Sequence, residues 1–316
     1  MQKILISGAQ GFVGKNLINK LEYLGIDNIV KLSGKTQCDL TNQKYVNHLI
    51  DFHKPDIVIH TAAKVGGILA NSENPGLFMY ENLAMGINLI ESCRKYGKLK
   101  KFIMLGTVCS YPKYTKPPFS EEEIWNGYPE ETNAPYGIAK KTINELLIAY
   151  HKQYGFNSTT LVPANIYGPY DHFNTTTGHV IPAIIMKVND AIQNNKTFID
   201  IWGSGKATRE FLYVEDCVNA IVSSIDKETG PEPINIGTGV ETSIESLVSL
   251  ICKKMGYYGN KAFSHAKLEG QPRRSLSIKR AKEELDYYPM HDLSNGLDKT
   301  IKWFKENYNE SICYSI

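Results

Sequence analysis

Between Lys3 and Leu24 the chain runs from an apolar stretch, Ile4-Leu5-Ile6, through three spaced glycines into a segment with helical periodicity. A short, continuous apolar run is the mark of a buried parallel strand. Leu17, Ile18, Leu21 and Leu24 fall on one helix face, and Gly25 ends the pattern. The turn between them is Gly8-Ala-Gln-Gly11-Phe-Val-Gly14. A strand, a glycine turn and a helix in that order commit the chain to a β-α unit in a parallel sheet. They also expose the first N–H groups of a helix beside a backbone without side chains, which suits a pyrophosphate. An ordinary glycine-rich turn is the rival reading; the flanking strand and helix argue against it.

The alternation continues. Strands are expected at Asn28–Leu32, Asp56–His60, Lys101–Leu105 and Ser158–Val162, the last ending in Pro163. Long helices are expected at Leu77–Tyr96 and Tyr136–Tyr154. This is the pattern of an α/β fold, a Rossmann-type doubly wound parallel sheet. The later half is less regular. Tyr167–Thr177 is rich in Gly, Pro, Asn and Thr and reads as a loop. Helices are expected at Val180–Asn194, Tyr213–Ile225, Thr242–Met255, Ile278–Leu285 and Leu297–Asn307, with a short strand at Ile199–Trp202. No internal repeat or low-complexity linker is visible. We therefore expect a smaller, discontinuous C-terminal substrate domain. The expected division is 1–165 with 208–236 for the dinucleotide and 166–207 with 237–316 for the substrate.

With 316 residues, 42% of them hydrophobic, the chain can bury a sizeable core. A net charge of +2 lacks the basic excess expected of a nucleic-acid binder. The six cysteines (Cys38, Cys93, Cys109, Cys217, Cys252 and Cys313) form no C-x-x-C pair and no zinc spacing with histidine. A reducing compartment is the simplest setting. No apolar run is long enough to span a bilayer and no signal peptide is visible, so a cytoplasmic protein without membrane or nucleic-acid partners is expected.

Two features suggest chemistry. Tyr136-Gly-Ile-Ala-Lys140 opens a helix and puts a phenol and an ammonium on one face. The ammonium is expected to lower the phenol's pKa, so that the tyrosine can exchange a proton with a substrate oxygen. Leu105-Gly106-Thr107-Val-Cys109 closes a strand at the carboxyl edge of the sheet, where open α/β folds place ligands. A surface Tyr/Lys pair and a β-branched strand threonine are the bland alternatives. The glycine motif upstream favours the functional reading. Ser33 and Lys35 follow the second strand, where an acid would hold a free ribose 2′-OH. Their character suits a 2′-phosphate, so NADP(H) is expected before NAD(H); a solvated surface lysine is the other reading of Lys35.

The G-x-x-G-x-x-G spacing with Y-x-x-x-K resembles the extended short-chain dehydrogenase/reductases of the NAD-dependent epimerase/dehydratase family. Further pieces resemble one branch, the GDP-L-fucose synthases. These are Ala62-Ala63-Lys-Val-Gly-Gly-Ile68, Cys109-Ser-Tyr-Pro112, Asn133-Ala-Pro-Tyr136, Pro163-Ala-Asn165-Ile166-Tyr-Gly-Pro169, His179-Val180-Ile-Pro182, Trp202-Gly-Ser-Gly205, Arg209-Glu-Phe-Leu212 and Asn235-Ile-Gly-Thr-Gly239. The likeness runs over almost the whole length. It implies catalytic roles for Tyr136, Lys140 and Thr107, with Cys109 as base and His179 as acid at C3 and C5 of a 4-ketosugar. It implies a cofactor cradle of Gly8, Gln10, Gly11, Phe12, Val13, Gly14, Asp39, Leu40, Ala62, Ala63, Leu105, Gly106, Lys140, Pro163, Asn165, Ile166 and His179. Asp39 reads equally as an N-cap for a helix from Thr41. Lys187, Trp202, Arg209, Asn165 and Val180 are implied for a GDP-sugar. The two long helices resemble a pair that forms a homodimer interface in this superfamily.

Three positions depart from that pattern: Lys187 and Gln10 stand where the family has Arg, and Thr107 where it has Ser. A changed pocket leaves open a GDP-4-keto-6-deoxy-heptose substrate with weak or no epimerisation. A nucleotide-sugar 4-epimerase that retains NAD shares the fold and the Tyr/Lys pair. A non-catalytic nucleotide sensor has no use for Tyr136, Lys140 and Thr107 together.

Overall fold

In a computed structural model, residues 2–34, 38–264 and 271–307 are described. Five parallel strands of the main sheet come from the first 163 residues. They are β1 (Ile4–Ser7), β2 (Ile29–Leu32), β3 (Ile57–His60), β4 (Lys101–Leu105) and β5 (Ser158–Pro163). Between them run helices α1 (Phe12–Tyr23), α2 (Gln43–His53), α3 (Ile68–Glu73), α4 (Pro75–Tyr96) and α5 (Ala134–Tyr154). The later elements are β6 (Asn165–Tyr167), α6 (Val180–Gln193), β7 (Phe198–Trp202), β8 (Thr208–Tyr213), α7 (Val214–Ser223) and β9 (Pro233–Ile236). Then come β10 (Glu241–Ser243), α8 (Ile244–Met255), β11 (Asn260–Ser264), β12 (Arg273–Arg274), α9 (Lys279–Leu285) and α10 (Leu293–Glu306).

The main sheet has the order β2-β1-β3-β4-β5-β9, parallel throughout. Its direction of winding reverses between β1 and β3, and ligands bind in that crevice at the carboxyl ends of the strands. All of β1, β3 and β5 is buried, as the uninterrupted apolar runs require. Two apolar layers cover the sheet. Leu17, Ile18 and Leu21 of α1 pack on one face with Ile221 of α7; Leu89, Ile90, Ile143 and Leu147 of α4 and α5 pack on the other.

A second sheet stands beside the carboxyl edge. There β8 pairs with β6, β10 and β12. The sequence division placed residues 208–236 with the dinucleotide unit, but Thr208–Tyr213 belongs to this second sheet; α7 and β9 return to the first. The helix expected from Tyr213 begins one residue later, because Tyr213 completes the β8 ladder opposite Tyr167. Strands β6, β9, β10, β11 and β12 were not anticipated, being only two to five residues long.

One contact fixes the chain at the carboxyl end of β4. After β4 the backbone forms a single tight turn, Val108–Ser110, lying against α5. Ser110 Oγ donates to the Gly137 carbonyl at 3.1 Å. A Cβ at Gly137 would stand 2.1 Å from the Cys109 carbonyl oxygen. The chain thus needs glycine next to Tyr136 for reasons of space. Gly137→Ala should cost about 1–3 kcal/mol through overpacking. A lower melting temperature is expected in a thermal unfolding experiment; an unchanged one would show that the turn can move away freely.

Candidate active site

The glycine turn builds one wall. Gly8 adopts φ +75°, and a Cβ there would lie 2.7 Å from the Ala62 nitrogen. A Cβ on Gly14 would lie 2.1 Å from the Gly8 carbonyl oxygen. The turn therefore closes tightly against both β3's exit and its own helix. Gly11 caps α1 without any side-chain hydrogen bond, and the first turn carries no acid. The leading N–H groups of a twelve-residue helix thus face the cavity with their partial positive charge uncancelled. That cradle fits the pyrophosphate of a dinucleotide.

A single cavity of about 1320 Å³ runs from this turn to the second sheet. It exceeds the usual range for one small ligand, roughly 300–1,000 Å³. Its wall includes Gly8, Gly11, Phe12, Val13, Gly14, Ser33, Asp39, Leu40, Ala62, Ala63, Leu105, Gly106, Pro163, Asn165 and Ile166. Thr107, Cys109, Tyr136, Lys140, His179, Val180, Lys187, Trp202 and Arg209 line it as well. Two expected cofactor residues are not among them. Gln10 is exposed and is no part of the wall. Lys35 lies outside the described residues. Asp39 does not cap α2: its Oδ1 accepts from Thr41 N at 3.0 Å and Thr41 Oγ1 at 2.6 Å, while Asn42 caps the helix.

At the reaction end, Tyr136 and Lys140 sit one turn apart on α5, only 7% and 2% exposed. Lys140 Nζ donates to the Leu105 carbonyl at 3.0 Å. Burial pushes the ammonium down to about 8. Below it, His60 is neutral: burial, then the Lys140 charge, take its pKa down to about 3, and Ser7 Oγ meets its Nδ1 at 2.7 Å. The phenol moves opposite to the expected direction. Burial raises the Tyr136 pKa and Cys109 adds to it, while the Thr107 hydroxyl's hydrogen bond opposes them. Lys140 is turned toward Leu105 O, so desolvation prevails at the phenol. Thr107 Oγ1 also accepts from Cys109 N at 3.2 Å, which orients the half-buried cysteine at the cavity edge.

Across the cavity, His179 precedes α6. Its Nδ1 is 3.8 Å from Oδ1 of Asp171, a buried carboxylate that the sequence reading missed. The His179 side chain is 45% exposed, so desolvation pulls the imidazole down only in part, and the polar contact with Asp171 and its negative charge pull it up by more. The net shift is upward, so His179 keeps its proton to higher pH than a free histidine. Lys187 Nζ donates to Asp200 O at 2.8 Å and stands 5.0 Å from the centre of the Trp202 ring. Trp202, 38% exposed, is a cavity residue and not core. Arg209 donates to Thr208 O at 2.7 Å; its neighbour Glu210 accepts instead from the backbone of Thr238, Gly239 and Leu276. Arg274 is the second missed residue. It lines the cavity from β12, whose two residues carry no periodicity to read.

The profile of the NAD dependent epimerase/dehydratase family matches residues 4–237, about three-quarters of the chain. The chain belongs to that family. Within this family it sits with the GDP-L-fucose synthases. It is 40% identical to the GDP-L-fucose synthase of Sinorhizobium fredii, over 97% of this chain and 96% of that one. Among solved structures, a GDP-L-fucose synthetase from Naegleria fowleri bound to NADP superposes with a TM-score of 0.87. It is 27% identical and covers 98% of this chain and 95% of its own. A GDP-mannoheptose C4 reductase from Campylobacter jejuni with NADP bound gives 0.86 at 28% identity, covering 96% and 98%. The parallel sheet with its glycine turn is thus the family's cofactor-binding architecture, and the cavity is the place to seek its chemistry.

The Asp171–His179 pair makes a sign-definite prediction. A histidine whose folded pKa is raised adds stability that is complete below the unfolded pKa and lost as pH rises through the folded one. Asp171→Asn should move the His179 titration to lower pH and remove that contribution. The His179 Cε1 proton, followed by NMR against pH, reads it directly; an unchanged midpoint would mean that the two side chains do not interact.

Proposed function

We propose that the chain is an NADPH-dependent oxidoreductase that reduces C4 of a GDP-4-keto-6-deoxy sugar and epimerises C3 and C5 in the same cavity. The observation that carries this reading is the convergence of two sets of groups on one cavity. Thr107, Tyr136 and Lys140 serve a carbonyl oxygen; Cys109 and His179 serve carbon acids. The likeness to the fucose synthases and to an NADP-bound synthetase supports the substrate class and the cofactor.

Bound NADPH would supply hydride to C4. The glycine turn and the α1 N-terminus would hold its pyrophosphate, with Asp39, Leu40, Ala62 and Ala63 along the adenosine side and Pro163, Asn165 and Ile166 near the nicotinamide. Thr107 Oγ1 and the Tyr136 hydroxyl hold the C4 oxygen by hydrogen bonds. These bonds strengthen as negative charge grows on the oxygen, both during enolisation and during reduction. Tyr136 then gives its proton to that oxygen, and the Lys140 ammonium stabilises the phenolate left behind. For epimerisation, Cys109 sulfur takes the proton from C3 or C5 on one face and His179 delivers one to the other. Solvent takes the proton from sulfur and reprotonates the imidazole, so the count balances. Lys187 and Arg209 meet the GDP diphosphate, and Trp202 packs on the substrate. Residues 1–165 with α7 and β9 form the cofactor unit; the second sheet with α6, α8 and α10 forms the substrate unit.

No described helix is long and apolar enough to cross a membrane. We place the protein in the cytoplasm as a homodimer built on α4 and α5, where Leu77, Tyr80, Ile87 and Tyr154 are exposed. Light scattering at micromolar protein should return twice the chain mass; a monomer would remove the dimer.

NADPH oxidation should follow addition of GDP-4-keto-6-deoxy-mannose, and Tyr136→Phe should slow it by roughly 10²–10⁴-fold. Absence of oxidation in the unmodified protein would refute the substrate assignment.

A further inference from the structure

The second sheet delivers a cation to the candidate base. In β12 the two arginines alternate: Arg273 is exposed and paired with Glu241 at 2.6 Å, whereas Arg274 is 7% exposed and faces the cavity. Arg274 Nη1 reaches Cys109 Sγ at 3.6 Å across 165 residues of sequence. Its Nε donates to Gln271 Oε1 at 3.0 Å. Gln271, itself buried, donates to the carbonyls of Pro112 and Lys113, so the guanidinium is anchored to the segment that carries Cys109. Among the described residues no carboxylate forms an ion pair with Arg274. A guanidinium stays charged at any physiological pH, and a buried charge is costly without an anion. Arg209 sits directly beside it in the parallel β8–β12 register and adds to the positive field. The cavity's other titratable side chains are Cys38, Asp39, Lys64, Glu81, Tyr136, Lys140, Tyr167, His179 and Lys187, and the strands beside β12 carry Glu210 and Glu241. Glu210 accepts from the backbone of Thr238, Gly239 and Leu276, and Glu241 holds Arg273, so neither strand carboxylate pairs with Arg274.

We infer that Arg274 is a positioning residue for proton abstraction, the cation that aims the Cys109 sulfur into the cavity and pairs with the thiolate that takes the proton. An ammonium or guanidinium beside a thiol favours its ionised form, and only that form takes a proton from carbon. The charge-assisted contact also fixes the sulfur's direction through the Gln271 anchor. Arg274 serves the carbon-acid half of the site and leaves ketone reduction to Tyr136 and Lys140. This assignment rests on Cys109 being the base of the proposed reaction.

Arg274→Gln and Arg274→Lys test it without substrate. Iodoacetamide alkylates a thiolate, forming a thioether and releasing iodide, and peptide mass spectrometry separates Cys109 from the other cysteines. At neutral pH the Arg274→Gln rate at Cys109 should fall about tenfold, with the rate profile moved to higher pH, and Arg274→Lys should restore most of it. In D2O with the GDP-ketosugar, deuterium entry at C3 and C5 should fall in Arg274→Gln and recover as pH rises. Reduction of an already epimerised 4-ketosugar should change only a few-fold. Superimposable alkylation profiles would overturn the inference, as would equal loss of exchange and reduction at every pH. Failure of the unmodified protein to oxidise NADPH would strike the substrate assignment alone, since the alkylation profile does not depend on it.

Discussion

The contact between the Val108–Ser110 turn and α5 carries the site. Because Gly137 has no side chain, the Cys109 carbonyl can approach the helix that bears Tyr136 and Lys140. Thr107, Cys109, Tyr136 and Lys140 are thereby brought together at the carboxyl end of β4. Lys140 is tied to the last residue of that strand, and Thr107 to the cysteine's own nitrogen. A proton-transfer site needs its groups placed to within fractions of an ångström. Here that placement follows from backbone packing on a buried sheet, and not from mobile loops.

The second sheet brings what the first lacks. The parallel sheet supplies a dinucleotide cradle and a hydroxyl pair for an oxygen, but no fixed cation beside the cysteine. Strand β8 and its neighbour β12 add Arg209 and Arg274, and α6 adds His179 and Lys187. Charge is thereby divided: Lys140 is bonded to the Leu105 carbonyl at the end of β4, Arg274 stands by the Cys109 sulfur, and Asp171 lies beside His179 on the far side. Walled by protein, these fixed charges act more strongly than they would in bulk water.

Much of this was legible in the sequence, for a physical reason. The strand-turn-helix from Ile4 to Tyr23 writes its structure in local periodicity and glycines, and so do the long helices α4 and α5. Tyr136 and Lys140 announce themselves by spacing on one helix. Cys109 and His179 gain their meaning from motif likeness; alone they read as a strand-end thiol and a loop histidine. The second sheet was the hardest part, because two- and three-residue strands such as β10 and β12 carry no period. Arg274 reaches the site through pairing across 165 residues, and Asp171 through a loop, and neither leaves a local signal. The direction of the Tyr136 shift also depends on where Lys140 points, which spacing alone does not say.

The central claim is that one cavity holds two separable chemistries, carbon-acid exchange through Cys109 and carbonyl reduction through Tyr136. Cys109→Ser tests it most directly. The variant would be given GDP-4-keto-6-deoxy-mannose in D2O, and then an already epimerised 4-ketosugar with NADPH, with products read by NMR. We expect deuterium at C3 and C5 to disappear while NADPH still reduces the epimerised ketosugar. Exchange that survives the loss of the thiol would contradict the account.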